Sequence, residues 1–156
     1  MSRILENVDF VHLHVHSSFS LLEGALRIDD LKKLALKDQM PALALTDTNN
    51  LFGALEFSEK MAGAGIQPIV GIQISVEMAD GHSPKTMALV TRSSLVLLAA
   101  TDEGYSNLMH LSSRAFLDPE PGEGAYIRLA DVLEHSDGLI VLTGGPTGPI
   151  DQALRD

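Results

Sequence analysis

The stretch Phe10-Val11-His12-Leu13-His14-Val15-His16-Ser17 alternates aliphatic and imidazole side chains with a period of two. A strand sends successive side chains to opposite faces, so the pattern predicts a strand over 8–15 that carries His12, His14 and His16 on one side. Val11, Leu13 and Val15 take the other. Such a strand demands a core against its aliphatic face and polar or ligand-bearing neighbours against its imidazole face. Residues two apart on one face stand roughly 6.5–7 Å apart, which lets three ring nitrogens serve one or two divalent metals. The same three rings also suit a polar barrel interior in which each merely hydrogen-bonds.

Strand and helix patterns alternate along the rest of the chain. A helix is predicted over 28–38, with Ile28, Leu31, Leu34 and Ala35 on one face, acids early and lysines late as the helix dipole favours. Further helices are predicted over 51–62, where Leu51, Ala54, Leu55, Ser58, Met61 and Ala62 align, and around Tyr105, Leu108, Met109, Ser112 and Phe116. Short helices follow at 129–133 and after Pro149. Strands are predicted over 42–46, 69–76, 87–90, 95–100 and 139–142, with a turn cluster at 79–84 and a loop at 118–124. Short strands alternating with helices imply an α/β domain with a mostly parallel sheet. The pattern alone does not separate an open doubly wound sheet from a barrel. The chain stops at Asp156 inside the amphipathic segment 150–155, which suggests a piece of a longer protein.

At 156 residues the chain amounts to about one domain. Its 45% hydrophobic and 21% charged residues rule out a disordered tail and a coiled coil. The longest apolar run, 95–100, is far short of the ~18 residues of a membrane span, and no membrane partner is expected. The N-terminus lacks a secretory pattern, and the absence of cysteine excludes disulfides and thiolate metal sites. A cytoplasmic location fits both. Eleven Lys and Arg against 21 Asp and Glu give a net charge of −10, a poor basis for gripping nucleic acid phosphates. A basic protein partner, or a larger protein carrying the positive charge elsewhere, fits better.

The other candidate ligands are sparse. Glu23 lies close in sequence to the histidines, and Asp47 is the carboxylate of Thr46-Asp47-Thr48-Asn49-Asn50. In the strand over 69–76, Gly71, Gln73 and Ser75 form the polar face, so a neutral amide stands where a metal cluster would want a negative oxygen. Read alone, these residues describe a polar pocket. The segment 144–149 is glycine-rich before a helix but lacks a Walker Lys, and reads as a strand-to-helix turn. His82, His110 and His135 are expected on solvated surface, and Glu120 and Glu123 on a solvated acidic face.

The run from Phe10 to Gly24 resembles the opening of the PHP (polymerase and histidinol phosphatase) domain, in the variant found at the N-terminus of bacterial replicative DNA polymerase III alpha subunits. Met40-Pro41-Ala42-Leu43-Ala44-Leu45-Thr46-Asp47, Asn50-Leu51-Phe52-Gly53, 65–71, 104–108 and 138–145 match in the same order, over nearly the whole chain. The resemblance implies an α/β fold, a PHP-type distorted (β/α)7 barrel truncated at its C-terminal side. Residues 1–156 are then the N-terminal portion of a PHP domain, with its remainder and the polymerase domains absent.

Active PHP domains bind several metals and hydrolyse phosphate esters, in some polymerases as a second proofreading exonuclease. Carried over by resemblance, the His-x-His motif falls on His14 and His16, and the acid after it on Glu23. His12, His14, His16 and Glu23 remain ligand-type residues, whereas Thr48, Gln73, Ser94 and Gly145 stand where the family has ligands. A multinuclear centre needs bridging carboxylates and several terminal ligands, so no catalytic residue is expected and no metal beyond a weakly held zinc or manganese. Magnesium would belong to the parent polymerase. The expectation is a degenerate domain that stabilises the alpha subunit and docks the proofreading exonuclease subunit, epsilon, while DNA is met through the parent's other domains. A residual metal-dependent phosphoesterase or 3'-5' exonuclease is the alternative. An unclosed barrel would expose a strand edge, so the isolated chain is expected to dimerise or to be less stable than a full barrel.

Overall fold

The computed structural model describes residues 10–78 and 92–155. The turn cluster at 79–84 with His82, the strand over 87–90 and the first two residues of the strand over 8–15 lie outside the described residues.

A β-sheet organises the domain, and its central member is β2 (Gln67–Glu77). Along one edge β2 pairs in parallel with β1 (Ala42–Leu45) at its start and with the short β4 (Ile127–Arg128) at its end. Its other edge pairs with β3 (Arg92–Ala99), and β5 (Leu139–Leu142) lies beyond β3. The expectation of a mostly parallel sheet is corrected at β3, which runs antiparallel to both β2 and β5. Period-two alternation fixes which side chains share a face, but it is the same for either strand direction.

The faces themselves follow the alternation. Ile72, Ile74 and Val76 of β2 join Leu95 and Leu97 of β3 beneath α3 (Asp102–Leu117), which contributes Leu108, Leu111 and Ala115 to the same cluster. On the outer side of β1, Leu43 and Leu45 pack with Ile28, Leu31 and Ala35 of α1 (Ile28–Lys37) and with Phe57 and Met61 of α2 (Ala54–Ala62). Lys60 ties these two helices together, 2.8 Å from Asp29 and 2.7 Å from Glu56, and its hydrogen bond holds the Asp29 carboxyl below the ordinary carboxylate range. The opposite sheet face carries the small apolar cluster Ala44, Val96 and Leu98. Gln73 and Ser75 share that face with it, across from Val96 and Ser94 in register.

Helix rotation departs from the simple periodicity at three places, the first being α1, where Ile28, Leu31 and Ala35 are buried but Leu34 is exposed. In α2 the buried stripe is Ala54, Phe57 and Met61, while Leu55 is 72% exposed, because the largest side chain, Phe57, turns inward and sets the rotation. In α3 the buried stripe is Gly104, Leu108, Leu111 and Ala115, leaving Met109 and Phe116 exposed. Gly104 dictates that choice: a Cβ added there would stand 2.0 Å from the Gly138 carbonyl oxygen, so only glycine allows α3 to seat against the turn before β5. The last two helices, α4 (Leu129–Glu134) and α5 (Pro149–Ala153), match their expected positions. Gln152 of α5 accepts from the Ser93 hydroxyl of β3 at 2.6 Å.

Phe57→Ala is expected to destabilise the fold by about 3–5 kcal/mol, as for other buried aromatic truncations, whereas Leu55→Ala should stay within about 0.5 kcal/mol. Urea titration of both variants checks the helix rotation; equal losses would show that it is wrong.

Candidate functional site

The register of β1 on β2 builds the site. Ala42 to Leu45 pair with Gln67 to Val70, and the same offset returns after β1 as a parallel bridge between Thr48 and Gln73. Gln73 N donates to the Asp47 carbonyl at 3.1 Å and Asn49 N to the Gln73 carbonyl at 2.7 Å. Thr48 and Gln73, far apart in sequence, are thereby made neighbours by backbone pairing alone. Asn49 accepts the left-handed φ of 56° that the chain needs there, as asparagine does readily.

The leading segment 10–16 approaches β1 from its other side but is not a strand, which corrects the expectation for 8–15 over its described part. Ala44 N donates to the His12 carbonyl at 2.9 Å and Thr46 N to the Val15 carbonyl at 2.8 Å. Two residues on β1 therefore face three on the segment, with the extra residue absorbed at a bend on Leu13. The bulge breaks the alternation of the three histidines. His12 leaves the set: its ring packs edge-on against Phe10 at 4.7 Å between centroids and lines a groove with Leu31, Leu34 and Ala35 of α1. His14 and His16 stay together beyond the bend, edge to face with centroids 5.1 Å apart.

A buried carboxylate then shapes the following loop. Asp47 is 2% exposed and accepts from Ser17 N at 2.7 Å, Ser17 Oγ at 2.7 Å and Ser20 Oγ at 2.6 Å. The Ser20 hydroxyl also accepts from Thr48 N at 3.0 Å. Gly24 closes the turn with its N–H on the Ser20 carbonyl at 2.8 Å; a Cβ on Gly24 would lie 1.9 Å from the Ser17 carbonyl oxygen. The tip leaves Leu21 and Leu22 exposed, Leu22 with a φ of 69°.

The loop brings Glu23 to the two histidines, and five polar side chains form a ring. Glu23 Oε2 lies 3.5 Å from His16 Nδ1 and accepts a short hydrogen bond from the Thr48 hydroxyl. The Gln73 amide reaches Thr48 Oγ1 at 3.5 Å, and its oxygen meets His14 Nε2 at 2.5 Å. His16 Nε2 is buried and has no hydrogen-bond partner among the described residues. Of the residues singled out from the sequence, the structure thus joins His14, His16, Glu23, Thr48 and Gln73.

Ser94 and Gly145 stand outside the ring. Ser94 pairs with Ser75, one step along the same sheet face, and its carbonyl packs against Gly144, where a Cβ would stand 1.9 Å away. Gly145 is exposed and opens a short 3-10 turn, Gly145–Thr147, so the glycine-rich segment is a turn as expected. The described residues bring together no group of three or more His, Cys, Asp or Glu side chains arranged to hold a metal ion. No described helix is long and apolar enough to cross a membrane.

Asp47, the most connected side chain of the site, has a structural role that its place in the sequence does not announce. A signal was available in the pairing of one acid at a strand end with Ser17 and Ser20, residues whose hydroxyls readily bond carboxylates in turns. His110 and His135, both expected on solvated surface, meet with ring centroids 4.1 Å apart, where the residue that ends α4 comes up against α3. Glu123 is exposed as expected and is also tied to Arg92 and to the Tyr126 hydroxyl. That bond raises the pKa of Tyr126 above the ordinary phenol value.

Residues 12–156 match the family model described as the PHP domain. The chain is 47% identical over 150 residues to a DNA polymerase III subunit alpha of Caulobacter vibrioides, a match covering 94% of this chain and 13% of that protein. It is 43% identical over 162 residues to an error-prone DNA polymerase of Symbiobacterium thermophilum, covering 94% of this chain and 14% of that protein. The chain therefore spans about an eighth of the length of these curated relatives. Among solved structures, an amidohydrolase from Chromobacterium violaceum aligns with a TM-score of 0.46 and 24% identity, over 67% of this chain and 34% of that one.

Asp47→Ala would strand three donors in a buried turn, each bond to a charged acceptor being worth about 1.5–3 kcal/mol. A loss of at least about 3 kcal/mol is expected on this basis, read by chemical denaturation. A cost below about 1 kcal/mol would remove Asp47 from its place as the anchor of the loop.

Proposed function

This chain belongs to the PHP domain family, and from that premise we propose that it serves as a non-catalytic platform within a cytoplasmic replicative polymerase of the DNA polymerase III alpha type. The observation that carries the reading is the ring. Thr48 and Gln73, at positions where the resemblance places metal ligands, present a hydroxyl and a neutral amide that are already engaged with Glu23 and His14. A multinuclear hydrolytic centre needs bridging carboxylates between its metals, and Glu23 is the ring's single carboxylate. The donor set does not fit such a centre.

The polymerase assignment rests on relatives that align with 94% of this chain. Nucleotidyl transfer, with its magnesium, is the work of the parent's other domains, and DNA is met through them, in keeping with a net charge of −10 here. The proposed partners are the rest of the alpha subunit and the proofreading exonuclease subunit. Exposed apolar side chains such as Leu21, Leu22 and Phe52 support contact with protein rather than nucleic acid.

A second reading, a residual phosphoesterase holding one zinc or manganese, is favoured by a single observation. His16 Nε2 is a buried nitrogen without a partner, and Glu23 lies on the ring's other nitrogen, as an outer carboxylate often does behind a metal-bound histidine.

The purified protein is expected to release no phosphate from p-nitrophenyl phosphate and to leave single-stranded DNA intact, with or without added zinc or manganese. Chelator-sensitive turnover that disappears in His14→Ala would falsify the platform reading and establish the second one. For DNA, fluorescence anisotropy at physiological salt should show no sub-micromolar binding; a tight complex with a steep salt dependence would place DNA contact in this domain.

A further inference from the structure

We infer that the ring is a polar circuit whose hydrogen bonds run from His14 through Gln73 and Thr48 to the Glu23 carboxylate, with His16 on that carboxylate's other side, and that it fastens four chain segments without a metal ion and holds its two histidines in opposite tautomers, His14 protonated on Nε2 and His16 on Nδ1. The inference rests on the metal-free reading of the site given above.

The direction of every link follows from what each group can do. The Glu23 carboxylate only accepts, so the Thr48 hydroxyl must donate to it, and the neutral His16 ring turns its protonated Nδ1 toward that negative oxygen, 3.5 Å away, because a bare lone pair there would be repelled. The Thr48 hydroxyl has one proton and spends it on Glu23, leaving its lone pairs to accept from the Gln73 amide nitrogen. That orients the Gln73 side chain with its oxygen toward His14, and an amide oxygen requires a donor, so His14 Nε2 carries the proton. The same logic accounts for the unpartnered atom. With its proton on Nδ1, His16 presents a bare lone pair at Nε2, and that is the buried nitrogen without a partner.

The circuit connects the leading segment through His14 and His16, the loop through Glu23, the turn after β1 through Thr48, and β2 through Gln73. Backbone pairing already joins Thr48 to Gln73, and Asp47 already fixes the loop. Glu23 and the two histidines are what the ring adds, a side-chain tie between loop, leading segment and sheet on top of the backbone bonds from β1 to His12 and Val15.

Long-range 15N–1H NMR of the metal-free protein in mildly alkaline buffer reads the tautomers directly. The expected spectrum shows His14 as the Nε2–H form and His16 as the Nδ1–H form. Gln73→Leu should release His14 into a tautomer mixture while His16 keeps its form, and should lower the melting temperature; Thr48→Ser, which keeps the hydroxyl, should preserve both tautomers. Addition of EDTA should leave the melting temperature and the imidazole shifts of the unaltered protein unchanged. Finding His16 as the Nε2–H form in metal-free protein overturns the circuit, and does so even if Gln73→Leu fails to fold. An unchanged His14 in a folded Gln73→Leu variant overturns it as well. Stoichiometric zinc or manganese in the purified protein, with imidazole shifts that move on chelation, sinks instead the metal-free reading on which the circuit stands.

Discussion

The site depends on one buried carboxylate. Asp47 opens the connection from β1 toward α2 with almost no exposure and draws three hydrogen bonds from a single loop. Burying a charge is costly unless it is hydrogen-bonded, and here the donors are a backbone N–H and two hydroxyls held within one tight turn. The carboxylate compels the loop to fold around it, and the loop in turn delivers Glu23 to the mouth of the sheet. Without that anchor the histidines would face a mobile carboxylate, and the ring would lack its terminal acceptor.

Backbone register supplies the second constraint. Parallel pairing at one constant offset continues through the bridge of Thr48 and Gln73, so these side chains meet because two strands run together. The bulge at Leu13 acts in the opposite sense. By spending one extra residue against β1, the leading segment keeps His14 and His16 over the polar end of the sheet and sends His12 toward α1. Bulges commonly re-aim side chains next to functional sites, and this one divides three similar residues into a pair and a separate neighbour.

Much of this was legible in the chain, and the failures have physical causes. The strand faces of β2 and β3 and the limits of α1, β1, β5 and α5 followed from periodicity and from proline and glycine punctuation. The ring's members were all named from sequence: His14, His16, Glu23 and Gln73 by residue type and position as well as by the resemblance, and Thr48 as a position where the resemblance has a ligand. Their connection was not legible, since it depends on the register between β1 and β2, which no local pattern encodes. The bulge was hidden for a related reason: a perfect alternation such as 10–16 describes a strand only if a partner accepts it residue for residue. Helix rotation failed where a close backbone contact, at Gly104 against Gly138, outweighed the apolar stripe.

The ring also has an electrostatic consistency that agrees with the metal-free reading proposed above. A cation allows several carboxylates to crowd one pocket, because its charge offsets their repulsion. Take the cation away and closely spaced carboxylates repel each other, so acidic ligands become a liability. Here the amide of Gln73 stands next to Thr48, which is itself bonded to Glu23. An acid in place of Gln73 would put a second carboxylate across a single hydroxyl from the first, with one proton between them and His14 as the nearest balancing group. A neutral amide removes that repulsion and also supplies both the donor that Thr48 needs and the acceptor that His14 needs. Thr48 is suited to its place in the same way, since a hydroxyl can give to Glu23 and take from Gln73 at once. The two residues form a matched pair: each fills a hydrogen-bonding requirement that the other creates, and losing the hydroxyl or the amide alone would leave the other one partner short.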